Sequence, residues 1–370
     1  MKFSARSEFP AVRRVVVKIG SRLIAERPEE RVTMLAQEAR ALRDRGVELA
    51  IVSSGAIALG VEGLGLSERP RTIPRLQAAA AVGQGRLMQL YQHALAAHGL
   101  VAAQLLLTHG DVRARTRYLN AHHALRALLE LGAVPIINEN DTVSVDEIKF
   151  GDNDRLAALV CSLVEAELLI LLTDVEGLFD GDPRAGARLI RAVRAIDREA
   201  APVAGSAGSS VGTGGMASKV EAARMAGSFG VPTVIASGRR PRPVASILEG
   251  EEAGTVFWPE VERLQSRKHW IAYALKPGGQ LRVDEGARRA IVEVGKSLLP
   301  SGITAVAGSF EPGDAVALCD EAGREFARGL VGYSAAEVER IRGHQTAELE
   351  ALIGYRGTDE VVHRDDLVVL

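Results

Sequence analysis

The segment Glu167–Leu172 reads ELLILL, one Glu followed by five consecutive apolar residues. It is far too short to cross a bilayer and lacks the polar alternation of a strand with one wet face. A run of this kind reads as a strand buried on both sides, which requires helices above and below its sheet. Five more runs share its character: Val15–Ile19 (VVVKI, ending at Gly20), Glu48–Val52 (ELAIV, stopped by SSGA), Val101–Leu107, Ala133–Ile137 and Thr233–Ala236. Between and after them, helical spacing marks Thr33–Arg45, Arg75–His98, Arg117–Leu131, Leu156–Val164 and Ala217–Ser228. The alternation predicts an α/β fold, a three-layer α/β/α sandwich around a mainly parallel sheet.

The pattern changes near residue 265. SRKHWIAYALKPGG reads as a linker ending in a Pro-Gly-Gly turn, and the short runs that follow are separated by Gly, Pro and Asp. That is the pattern of a small β-barrel. The expected division is a larger domain over 1–265, a linker over 266–276 and a small β-barrel-like domain over 277–370. The Gly/Ser/Ala-rich stretch 204–215 is expected to be a mobile loop inside the first domain, because β and α elements continue on both sides of it.

Composition limits the partners. A net charge of −2 gives no field to attract nucleic acid or an anionic membrane. Residues 277–370 hold 10 Lys and Arg against 16 Asp and Glu, a net −6, which argues against RNA binding there. Cys161 and Cys319 are too few for a disulfide framework or a zinc site and read as buried small hydrophobes. No secretory h-region precedes a cleavage site in MKFSARSEFPAVRR, so the expectation is a protein of the reducing cytoplasm.

In an open parallel sheet, ligands bind beyond the carboxyl ends of the strands. The unusual residues of this chain fall there: Lys18-Ile19-Gly20-Ser21, Ser53-Ser54-Gly55-Ala56, Asn138-Glu139-Asn140-Asp141 and Thr173-Asp174. Only seven of the 45 basic residues are lysines, so a lysine beside glycine is informative. Lys18 sits within an apolar strand; it either snorkels or neutralises a phosphate bound by the N–H groups of the following turn. Ser53–Ala56 reads as a second nest of donors or a plain helix cap. VGTGGMASK, Val211–Lys219, fails the Walker A spacing, yet its glycines permit close approach of a nucleotide, and Lys219 opens the next helix.

NENDTVSVDEIKFGDND, Asn138–Asp154, has neither the spacing of an EF-hand nor any His, the nearest being His123 and His269. A metal cage is therefore not expected. Asp152, Asn153 and Asp154 can cap the helix that begins there, hold the lysine ammoniums, or bind an ammonium-bearing substrate.

Taken together, VVVKIGS, VSSGAIALG, AAVGQGRL, PIINENDTV, KFGDNDRLAA, LLTDVEGLFDGDPR and GTGGMASKV resemble the amino acid kinase family, and within it the branch that phosphorylates glutamate. DEGA, SLLPSGI, GREFARGLVGYSA and HRDD resemble the PUA domain that bacterial members carry. The resemblance covers essentially the whole chain. It implies transfer of the ATP γ-phosphoryl group, with Mg²⁺, to the side-chain carboxylate of L-glutamate, the first step of proline biosynthesis. Lys18, Lys219 and Asp154 would then be catalytic, Asp154 orienting the two lysines. Ser54, Asp141 and Asn153 would bind glutamate. Lys18, Thr173, Asp174, Thr213, Gly214, Gly215, Met216, Ala217, Ser218 and Lys219 would contact the nucleotide. The resemblance further implies feedback inhibition by proline, a homo-oligomer (dimer or tetramer), and glutamyl phosphate reductase as a partner. Ser21 stands where Thr is common in the family, and Ala217-Ser218 where two hydroxyl residues are common; neither departure threatens the implied activity. Rival acceptors within the fold are aspartate, N-acetylglutamate, carbamate and UMP.

Overall fold

The computed structural model describes residues 4–108, 110–111, 115–143, 153–182, 185–200, 215–259, 277–355 and 357–370. It contains two compact units, each with its own sheet. The expected loop at 204–214 and the linker 266–276 lie outside the described residues. No described helix is long and apolar enough to cross a membrane.

The first unit has strands β1 Arg14–Ile19, β2 Glu48–Ser53, β3 Ala102–Leu107, β4 Val134–Glu139, β5 Leu168–Thr173, β6 Ala192–Val193, β7 Thr233–Ser237 and β8 Thr255–Phe257. They lie in the order β3-β4-β2-β1-β5-β7-β8-β6. The first six of that row run parallel; β8 is antiparallel to β7, and β6 follows β8. The continuous apolar runs are buried along their whole length in β4, β5 and β7, as strands covered on both faces must be. At the edge, β3 is half exposed.

The helices that matter to the site are α1 Ser21–Glu26, α2 Pro28–Asp44, α3 Ala56–Gly63, α4 Ile73–Ala96, α5 Arg115–Glu130, α6 Asn153–Leu163, α7 Met216–Ser228 and α8 Pro243–Leu248. Val15, Val17 and Ile19 of β1 share one core with residues of α1, α2, α4 and α8. Side chains alternate across a strand, so Val16 and Lys18 take the opposite face. There Lys18 reaches the first turn of α6, where Asp154 also pairs with Lys219 of α7. The direction of Lys18 is thus set by the pleat of β1.

From β1 the chain steps out to β2, and later returns to lay β5 on the other side of β1. The carboxyl ends of β1, β2 and β5 therefore border the point where the connections diverge, which is where sheets of this kind bind ligands. All five expected helices begin earlier than the apolar periodicity suggested, two of them by three residues or more. Pro28, with Glu29 and Glu30 behind it, opens α2, and α6 starts at Asn153 rather than Leu156.

The second unit is a five-stranded sheet in the order β10-β9-β11-β12-β13, from β9 Gly279–Val283, β10 Ile303–Gly308, β11 Ala315–Cys319, β12 Glu325–Val331 and β13 Val362–Val369. Its own core includes Leu281, Val316, Leu318, Val331 and Tyr333. It also holds short helices, α9 Glu285–Val292 and α10 Ala335–Ile341, that the strand-rich reading omitted. Asp284 caps the first by accepting from the Ala287 N–H at 2.7 Å, and Ser334 with Glu337 forms a capping box on the second.

Helices α3 and α4 pack backbone to backbone. A Cβ at Gly60 would overlap the carbonyl oxygen of Ala79, and one at Gly83 the carbonyl oxygen of Ala56. Gly83→Ala should therefore lower stability by about 1–3 kcal/mol. Gly85→Ala in the same helix, where nothing stands in the way, should gain up to ~1 kcal/mol. Thermal unfolding of the two variants checks this; equal melting temperatures would contradict the close approach.

Candidate active site

Lys18, near the end of β1, is buried, and burying an unpaired ammonium is costly. Its Nζ lies 2.6 Å from Oδ1 of Asp154, in the first turn of α6. The other oxygen of the same carboxylate, Oδ2, lies 3.1 Å from Nζ of Lys219, in the first turn of α7. The Ser218 hydroxyl stands 2.8 Å from Asp154 Oδ2 and 2.8 Å from the Gly215 carbonyl, so its single hydrogen is shared between two acceptors. The snorkelling alternative for Lys18 is excluded by this arrangement, because its ammonium turns inward.

Asp154 is fully buried. Burial alone would raise its pKa, but Lys18 and Lys219 overcome that and hold the carboxyl down at about 2. The Lys219 pKa is lowered, chiefly by burial and also by the like charge of Lys18, against the pull of Asp154 and Asp174. Two ammoniums facing one carboxylate leave one positive charge in excess. The N-terminal ends of α6 and α7 add positive potential at the same place. The cluster is therefore poised for an anion.

A second set meets the first at α6, because Asn153 precedes Asp154. Asn153 Nδ2 donates to Ser54 Oγ at 2.8 Å and to Asn138 Oδ1 at 2.9 Å. Ser54 leaves β2 through Gly55, whose φ of 111° lies in the left-handed region and turns the chain into α3. The Ser53–Ala56 turn thus starts a helix as anticipated, capped by Gly55 with no side-chain hydrogen bond.

Asp141 follows β4 and stands apart from that hydrogen-bonded set. It is buried, and its Oδ1 has no hydrogen-bond partner. Burial, then repulsion from Glu139, raise its pKa to about 7 against the attraction of Arg69. An isolated buried carboxylate of this kind suits a cationic group.

Thr173 and Asp174 end β5. The Thr173 hydroxyl donates to Asp174 Oδ1 at 3.1 Å, Arg22 holds Asp174 Oδ2 at 2.9 Å, and Arg239 donates to the Asp174 carbonyl at 3.2 Å. Across α7, Gly215 is the N-terminal cap, Met216 is half-buried and Ala217 exposed. Among the described residues, nothing lies within 4 Å of where a Cβ of Gly215 would stand. Thr213, Gly214, Asp152 and the acidic connector Ser144–Phe150 lie outside the described residues. No group of three or more His, Cys, Asp and Glu able to hold a metal occurs among the described residues.

Sequence reasoning placed Asn138 among the unusual strand-end residues without giving it a role, and passed over Gln84 and Arg22. Asn138 reads as the turn after an apolar strand, and its signal was an amide directly after PII. Gln84 was visible only as a polar residue between two glycines of α4.

The sequence profile described as "Amino acid kinase family" matches residues 13–237, and that of the "PUA domain" matches residues 279–353. Among curated proteins, the chain is 53% identical to the glutamate 5-kinase of Trichlorobacter lovleyi over 365 residues, 97% of each chain. It is 53% identical to that of Myxococcus xanthus over 373 residues, 99% of each. With that of Moorella thermoacetica it shares 49% over 364 residues, 97% of this chain and 96% of the other.

Asp154→Asn keeps the shape of the cluster and removes the carboxylate that pairs with both lysines. Breaking a buried ion pair in this way should cost about 3–5 kcal/mol, seen as a lower melting temperature at pH 7. Because the folded pKa lies below the unfolded value of ~3.9, this contribution is present above pH ~4 and lost as pH falls toward about 2. The difference between parent and variant should shrink over that window. A variant that melts with its parent at pH 7 would contradict the account.

Proposed function

This chain belongs to the amino acid kinase family, and from that premise we infer that it transfers the γ-phosphoryl group of ATP to the side-chain carboxylate of L-glutamate. The product is L-glutamyl 5-phosphate, and the reaction opens proline biosynthesis. The observation that carries the reading is the buried meeting of Lys18 and Lys219 on the single carboxylate of Asp154, at the carboxyl ends of the strands.

The chemistry asks for little else. A carboxylate acceptor, with a pKa of about 4, is already ionised at neutral pH, so no general base is needed. One of its oxygens forms a bond to the γ-phosphorus, the bond from that phosphorus to the β,γ-bridging oxygen breaks, and ADP leaves with the electron pair. Catalysis then rests on alignment and on meeting negative charge. Lys18 and Lys219 meet the charge on the β- and γ-phosphates and on the transferring group. Asp154 spaces the two ammoniums and keeps both turned into the site.

Ser54 and Asn153 hold glutamate, and Asp141 pairs with its α-ammonium through the oxygen left without a partner. Thr173, Asp174 and the Thr213–Lys219 segment contact the nucleotide. Mg²⁺ supplies charge neutralisation on the phosphates when the nucleotide is bound. The described carboxylates fit it poorly as ligands, since both oxygens of Asp154 face ammoniums and Asp174 Oδ2 is held by Arg22. The phosphates and water are its natural ligands.

Aspartate and N-acetylglutamate are the informative competitors, since an N-acetylated substrate has no ammonium for Asp141. Inhibition by proline, homo-oligomeric assembly and hand-over to glutamyl phosphate reductase follow from the family resemblance, and an architectural or regulatory PUA domain and a cytoplasmic location complete the proposal.

An ATP-dependent hydroxamate assay tests the function: glutamate should react faster than aspartate or N-acetylglutamate, and a faster rate with either of those would overturn it. A pH series tests the ammonium partner. Asp141 loses its charge as pH falls through about 7, so KM for glutamate should rise from pH 8 to pH 6. Asp141→Asn should show a high KM with no such slope, and a flat profile in the parent would contradict the role.

A further inference from the structure

Helix α4 reaches beneath the glutamate-binding residues with two side chains seven positions apart on one helical face. Gln84 Oε1 accepts from Asn138 Nδ2 at 2.9 Å. Asn138 Oδ1 in turn accepts from Asn153 Nδ2 at 2.9 Å, and Asn153 Nδ2 donates to Ser54 Oγ at 2.8 Å. Two turns further along α4, the Tyr91 hydroxyl donates to Ser53 Oγ at 2.9 Å, and the Ser53 hydroxyl points to the Ser54 carbonyl at 3.2 Å. Asn138, Asn153, Ser53 and Ser54 are all buried.

Direction is what such a relay transmits. An amide has a donor end and an acceptor end, so fixing one Asn fixes its neighbour. Because Gln84 presents its carbonyl, Asn138 must turn its NH₂ toward α4 and its carbonyl toward Asn153. Asn153 must then turn its NH₂ toward Ser54. The Ser54 oxygen thereby accepts, and its one hydrogen is left to donate elsewhere. A carboxylate oxygen of the substrate, which can only accept, is what that hydrogen suits.

We propose that Gln84 is a positioning residue for acceptor specificity: through Asn138 and Asn153 it sets the Ser54 hydroxyl to donate into the site. The inference rests on the reading of Ser54 and Asn153 as glutamate-binding. Without the Gln84 carbonyl, Asn138 loses the acceptor that orients its amide, and the direction it hands on to Asn153 and Ser54 is weakened. Gln84 Nε2 is itself buried without a partner, so the carbonyl end carries the interaction.

The test is steady-state kinetics of the full chain with glutamate and ATP varied separately. Gln84→Met removes the acceptor, and Gln84→Ala does so with a residue of the highest helix propensity. Gln84→Glu keeps an acceptor for Asn138 in either protonation state. In the first two, KM for glutamate should rise about tenfold or more, while KM for ATP and kcat stay within about twofold. Gln84→Glu should recover most of the lost affinity. The proposal is overturned by an unchanged KM for glutamate in the folded Met or Ala variant. It is equally overturned by a loss spread evenly over kcat and both KM values, or by Gln84→Glu behaving like Gln84→Met. A parent that does not phosphorylate glutamate at all defeats the proposed function, an outcome distinct from these.

Discussion

One carboxylate between two ammoniums organises the site. Asp154 stays ionised in full burial because Lys18 and Lys219 flank it, and both buried lysines pair with that one carboxylate. Each group comes from a different element, so the cluster ties β1, α6 and α7 together at the carboxyl end of the sheet. The excess positive charge in that tie suits it to an anion such as a polyphosphate. Structural and chemical roles are thus performed by the same contacts.

The position follows from topology. β1 is central, and the connections leave it on one side for β2 and return on the other to β5. The pleat turns Lys18 to the α6–α7 face, while Val17 and Ile19 enter the core beneath α2 and α4. That second face has its own part in the site. α4 packs on α3 by glycine-to-carbonyl contact, and it carries Gln84 to Asn138 of β4 and Tyr91 to Ser53 of the serine turn. The lysine–carboxylate cluster and the hydrogen bonds that start from α4 therefore come from opposite layers of one sandwich and meet at Asn153-Asp154.

Much of this was legible in the chain. A lysine inside VVVKI contradicts its surroundings, and ELLILL has no reading other than a doubly covered strand. Other parts were not. α1 and α8 have six residues each, too few to show a period, and β6 and β8 have two and three. Gln84 and Tyr91 fit the helical pattern of α4 so well that nothing set them apart; their role depends on which strand end lies over them. Asp154 was recognisable as a helix-start carboxylate, but its two partners, 136 residues upstream and 65 downstream, come together only through the sheet order.

The most direct test of the shared carboxylate is a double-mutant cycle on kcat with Lys18→Met, Lys219→Met and the pair. If both ammoniums act as one unit on the transferring group, each single change should lower kcat by on the order of a hundredfold or more, and the pair should lose far less than the product of the two. KM for glutamate should change little throughout. Losses that simply multiply, or a single variant with kcat within threefold of its parent, would contradict the account.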